Sequence, residues 1–272
     1  MKFVHLKAVV GAMALSVALA GTAQAQVVLA DITSGTSDDT KVNIGVSNVP
    51  FGPHRSDRVG ISVPSLQPND FFVDFQGLQT ASPPVNGVTS IHNPTGTVTD
   101  HSQYGRFDIA KVDGQNLYFG EWSQTANVAA GDHTVYYAGT GGTSVGNIPT
   151  STSATYNLKG VSDYQNKGLL EGQLNVTFTS GGNGSLTSGF LDNGVGSAST
   201  YKVDLGSASI TAGVISGSSA VASNPSTSTT LASLGTVDGR FFGSSAQAVA
   251  GIVTFRNVST DRQYDTAFGG TQ

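Results

Sequence analysis

Cysteine is absent from all 272 residues, and the only methionines are Met1 and Met13. That excludes a disulfide scaffold, a thiolate zinc site, a catalytic thiol and an iron–sulfur centre. Charge is scarce as well, at 11% of residues, with 18 acidic against 13 basic side chains. A balance of this sign indicates no general nucleic-acid-binding surface. No His-Glu-x-x-His pair occurs and the glycine-rich stretches open no βα unit, so no enzyme is expected. The apolar stretch from Ala8 to Ala20 has 13 residues, too few for a comfortable membrane-spanning helix.

That stretch has the layout of a secretory signal. Lys2 and Lys7 precede it, and Ala23-Gln24-Ala25 supplies small residues at a cleavage site before Gln26. Residues 1–25 are therefore expected to direct export, and with no cysteine after the site a lipid anchor is excluded. Removing them leaves 11 basic and 18 acidic side chains, a net charge of −7, and four histidines: His54, His92, His101 and His133.

From Gln26 onward no amphipathic helix exceeds about two turns, whereas alternating segments and Gly/Ser/Asn breaks recur throughout. The fold class predicted is all-β. Aromatics and prolines crowd residues 51–122, after which short Ser/Thr/Gly-rich strands follow at regular spacing. The change of texture predicts an aromatic-rich N-terminal β domain over 26–130 and a second domain over 131–272. Eight strand candidates fall in the second: Thr134–Ala138, Ala154–Val161, Leu169–Thr179, Ser185–Leu191, Thr200–Ile210, Gly213–Ala222, Leu231–Phe242 and Ala248–Asn257. Eight strands suffice to close a small antiparallel barrel and so remove exposed edges.

The direction such a barrel faces follows from its alternation. Leu174, Val176 and Phe178 oppose Gln173, Asn175 and Thr177, and Lys202 and Asp204 oppose Tyr201, Val203 and Leu205. An eight-stranded barrel has an interior that side chains can fill, so the apolar set belongs inside. Lys159, Lys202 and Asp204 would then point outward, where they would be costly in lipid. A soluble eight-stranded antiparallel barrel without stable membrane insertion is expected.

Near the C-terminus, Gly239-Arg240-Phe241-Phe242-Gly243-Ser244-Ser245-Ala246 runs on to Gly251. This resembles the G-x-F-y-G-x-x-A-x-x-x-x-G signature of the transferrin-binding-protein-B-like barrels. Taken alone, its glycines could simply permit turns and close packing. The order of export signal, aromatic β domain and unlipidated barrel is similar to that of the hemophilins. The resemblance implies a secreted haem-binding protein that takes haem as its cofactor. It also implies an outer-membrane translocon for export through the periplasm of a Gram-negative bacterium, and an outer-membrane haem receptor as partner. The barrel alone would equally serve a module that binds a host protein such as transferrin or a complement regulator, because fold does not determine ligand.

Haem iron is held by histidine, methionine, cysteine or tyrosine, and the mature chain keeps only the first and last. Under the resemblance, His54 and His101 are the expected metal ligands. His54 lies in Pro50-Phe51-Gly52-Pro53-His54-Arg55-Ser56-Asp57-Arg58, where Phe51 is the expected wall residue and Arg55 and Arg58 the expected partners of the propionates. Without the resemblance, the same segment reads as a surface turn with solvated arginines. His101 follows Asp100, which could orient it, though a solvated hairpin histidine is the simpler account. His92 is held in reserve, and His133 is read as structural. Tyr118, Phe119 and Trp122 are assigned to the core, and Asp70 and Asp74 to solvent.

Overall fold

The computed structural model describes residues 31–64, 71–92, 104–194 and 198–272; the export segment 1–25 lies outside them. The chain builds two β units. The first rests on a five-stranded antiparallel sheet in the order β1 (Ile32–Thr36), β8 (Thr134–Thr140), β7 (Leu117–Ser123), β6 (Arg106–Lys111) and β5 (Val88–Ile91). A three-stranded sheet of β2 (Asn43–Val46), β3 (Val59–Ser62) and β4 (Val73–Asp74), with the two-turn helix α1 (Phe75–Ala81), packs on one face.

The second unit is a closed eight-stave antiparallel barrel. Its staves are β9 (Thr152–Val161), β10 (Leu170–Phe178), β11 (Gly184–Asp192), the broken pair β12 (Lys202–Asp204) and β13 (Ala208–Thr211), β14 (Val214–Asn224), β15 (Thr229–Phe242), β16 (Ala248–Thr254) and β17 (Thr266–Thr271). Pairing of β17 with β9 closes it. Gly206, at a φ of 64°, breaks the fourth stave, a conformation that glycine adopts without strain.

The alternation places the faces as expected. Tyr156, Leu158, Leu174, Val176, Phe178, Tyr201, Val203 and Leu205 fill the interior, and Thr155, Asn157, Gln173 and Asp204 are exposed outside. The Gly239–Gly251 signature forms the β15–β16 corner. Gly243 turns the chain at a φ of 87°, Phe241 enters the barrel against Tyr156 and Phe178, and Phe242 points the other way.

One strand assignment is corrected. Thr134–Ala138, expected as the first barrel stave, lies in β8, which pairs with β7 and β1 in the N-terminal sheet. The eighth stave is instead β17, which no strand candidate covered. Strand β8 is buried throughout Thr134–Gly139, so both its faces are covered and its pattern carries no sign of which sheet it joins.

The second cover is the barrel itself. Along β7, Tyr118 and Trp122 face α1 and the small sheet, whereas Leu117 and Phe119 face the outer wall of β15–β17. There Phe119, Val135 and Tyr137 meet Phe242, Ala248, Ala250 and Ala267 in one continuous apolar cluster. Small residues on the barrel wall let the sheet approach: a Cβ on Gly269 would lie 2.7 Å from the Phe119 ring.

Candidate functional site

The loop between β2 and β3 is folded by its own polar groups. Ser47 Oγ donates to the Arg55 carbonyl at 2.6 Å and accepts from the Arg58 amide at 3.0 Å. The Phe72 amide donates to Asn48 Oδ1 at 2.9 Å, and the Asn48 amide donates to the Phe72 carbonyl at 3.1 Å. These ties leave the Pro50–Pro53 tip in water, with Phe51 75% exposed, and turn His54 inward to 3%.

His54 meets a fully buried carboxylate, that of Asp74, the N-cap of α1. Asp74 Oδ1 lies 3.1 Å from His54 Nδ1 and accepts from the Arg55 amide at 2.8 Å. Its Oδ2 accepts from the Gly77 amide at 2.7 Å. Burial alone would raise the Asp74 pKa, but hydrogen bonds from His54, Arg55 and Gly77 outweigh it and hold the group below the usual carboxylate range. A carboxylate only accepts, so His54 Nδ1 carries the hydrogen. In the neutral ring, Nε2 is then the nitrogen with the lone pair. Gly77 is required here because a Cβ would land on His54 Nδ1.

The segment that holds His54 also walls an apolar pocket. Val73 and Leu78 line it with Ile61, Val63, Phe71 and Phe107, and Tyr104 closes one side. Its volume is about 30 Å³. The chain on either side runs into 65–70 and 93–103, outside the described residues. His101 lies there, as does Asp100. His92 ends exposed, one residue past Ile91, which pairs with Phe107.

Arg55 and Arg58 face elsewhere. They line a second cavity, of about 1070 Å³, with Gln76, Lys111, Tyr118 and Asn116. Phe51 lines neither cavity. Asp74, read from the sequence as solvated, is corrected to buried. An Asp directly before a short helix is an N-cap signal, and that signal could have found it.

His133 lies between the two units with both ring nitrogens on acceptors. Nε2 is 2.7 Å from Glu121 Oε2 and Nδ1 is 2.9 Å from the Arg262 carbonyl. Glu121 in turn accepts from the Asp163 and Tyr164 amides, each at 2.6 Å. Two acceptors and no donor require an imidazolium. Burial would lower the His133 pKa, but the hydrogen bond to Glu121 raises it above its ordinary value. Tyr118, Phe119 and Trp122 are buried in the core. Gly142-Thr143-Ser144-Val145-Gly146 has the spacing of a nucleophile elbow, but it lies in the β8–β9 connector. There Thr143 Oγ1 donates to the Gly243 carbonyl at 2.8 Å, which ties the connector to the β15–β16 corner.

The architecture is a packed barrel joined to a second β unit that holds an inward, hydrogen-bonded imidazole. Residues 22–134 match the family model of the HphA N-terminal heme-binding domain, and residues 146–272 that of the HphA C-terminal domain. The chain belongs to the HphA, or hemophilin, family, and its N-terminal unit is the haem-binding domain. Among solved structures it is similar to transferrin binding protein B of Haemophilus parasuis, at 16% identity and a TM-score of 0.48 over 89% of this chain and 44% of that one. It is similar to the Neisseria meningitidis protein at 16% and 0.43, over 69% and 36%, and to a surface lipoprotein at 18% and 0.39, over 85% and 96%. The chain thus spans less than half the length of the transferrin binding protein B structures. His54, a buried imidazole oriented by Asp74, is of a type that holds haem iron, but it lines neither cavity, and the apolar one, at about 30 Å³, does not admit a porphyrin.

Proposed function

We propose that the protein is a secreted hemophore that holds haem through histidine and passes it to an outer-membrane receptor for iron acquisition. The observation that carries this reading is the match of residues 22–134 to a heme-binding domain, within which His54 is a buried imidazole held by Asp74. His54 and His101 are proposed as the residues that would hold the iron, with His92 in reserve. Arg55 and Arg58, on the polar side of His54, are proposed to pair with the propionates. Phe71, on the pocket, is assigned the wall role in place of the exposed Phe51. Export is assigned to residues 1–25 and an outer-membrane translocon, and binding rather than catalysis is the role of both domains.

Titrating purified protein with haemin should give a sharp Soret shift that saturates near one equivalent. His54→Ala and His101→Ala should each change the ligand-field bands. Bands unaltered in both variants would remove histidine ligation from the reading, and a spectrum identical to free haemin would remove haem.

A further inference from the structure

We infer that the cavity of about 1070 Å³ beside the β2–β3 loop is a second ligand site, which takes a small organic molecule bearing more than one oxyanion group, phosphate or carboxylate. Four parts of the fold converge on it: the loop brings Arg55 and Arg58, α1 brings Gln76, the end of β6 brings Lys111, and β7 brings Tyr118. Asp31 and Asp57 also line it, so its walls carry three cations against two carboxylates. Residues 26–272 as a whole have the opposite balance, 11 basic side chains against 18 acidic.

The cations are weakly neutralised. Among the described residues, Arg55 is the one arginine without an ion pair; its Nη1 donates only to the Gly52 and His54 carbonyls, at 3.0 and 2.6 Å. Arg58 donates to Gln76 Oε1 at 2.7 Å and stands 3.7 Å from Asp74. Lys111 Nζ lies 5.5 Å over the Tyr118 ring, with no carboxylate beside it among the described residues. Tyr118 itself is 2% exposed and stacked on Phe75 at 4.9 Å, yet its hydroxyl makes no hydrogen bond among the described residues. Burial pushes that hydroxyl up to about 12, so it stays a donor at neutral pH. A donor so enclosed is costly without an acceptor, and an oxyanion held by the neighbouring cations would supply one. Two guanidinium forks and an ammonium from a different strand suit a ligand with several acidic groups.

Arg55 and Arg58 are shared with the propionate assignment above, but Lys111 and Tyr118 are not, so variants at those two positions separate the readings. Calorimetric titration of the haem-free chain with pyrophosphate, and separately with citrate, should show saturable binding near one equivalent. Tighter binding of pyrophosphate assigns the site to phosphates, and tighter binding of citrate to carboxylates. Lys111→Gln and Tyr118→Phe should each weaken that binding about tenfold, whereas Lys202→Gln, on the outer barrel wall, should leave it unchanged. Both site variants should keep the wild-type Soret shift with haemin. No saturable binding of either anion would overturn the inference, as would equal weakening by Lys202→Gln, which would mean screening of surface charge only. Loss of the Soret shift in Lys111→Gln and Tyr118→Phe would give the cavity to haem and overturn its assignment to a separate ligand.

Discussion

Glu121→Gln tests how the two units are held together. Glu121 is 4% exposed and His133 0%, and the carboxylate satisfies an imidazolium and two backbone amides at 2.6–2.7 Å. The amide of Gln removes the charge and turns an N–H donor toward at least one of those donors. Breaking a buried pair in this way costs about 3–5 kcal/mol because the partner charge stays buried. For a chain of this length, that corresponds to a fall in Tm of roughly 6–20 °C. The pH dependence has a sign from each partner. His133 has its folded pKa raised above 6.5, so its contribution is complete below pH 6.5 and is lost as pH rises through the folded value. For Glu121, burial is outweighed by the bond from His133 and the folded pKa falls below 4.5. Its contribution is present above pH 4.5 and is lost as pH falls through the lower value. The wild type should therefore draw most from this pair between pH 4.5 and 6.5, and the variant should lack that maximum. Calorimetry across pH reads both effects. A variant within about 1 kcal/mol of the wild type, or one with the same pH profile, would refute the argument.

Gly269→Val should loosen the contact between the units by about 1–3 kcal/mol, because its Cβ meets the Phe119 ring; chemical denaturation measures the loss. Tyr136→Phe should do the opposite. The Tyr136 hydroxyl is buried with no partner among the described residues, so its removal should leave stability unchanged or raise it by up to about 1–3 kcal/mol. A loss of more than about 1 kcal/mol would mean that the hydroxyl is satisfied in solution.

The barrel was legible because its staves alternate strictly: the Gln173–Phe178 stretch states its own inside and outside. The β15–β16 signature was legible for a related reason, since its small residues sit where the N-terminal sheet comes close. Strand β17 escaped because Thr-Ala-Phe-Gly-Gly-Thr offers little apolar surface. Its burial comes from what lands on it, Phe119 above Gly269 and the Asn157 backbone beside Gly270. Strand β8 is legible as a strand but its sheet is not, because a strand covered on both faces shows no alternation. At the site, the Pro50–Pro53 turn pointed to His54, but the direction of its ring depends on Ser47, Asn48 and Asp74. A carboxylate 20 positions away leaves no local mark beyond its own preference for a helix start. Phe51 illustrates the converse: nearness in sequence to His54 did not bring it to the pocket.

The sandwiched strand β7 has a consequence for how the molecule can be divided. Its Phe119 side has no cover of its own and borrows the barrel's outer wall, so the haem-binding half rests on a foundation supplied by its neighbour. Cutting the connector would sever the polypeptide without separating two finished bodies, since each piece would bare an oily flank shaped to the other.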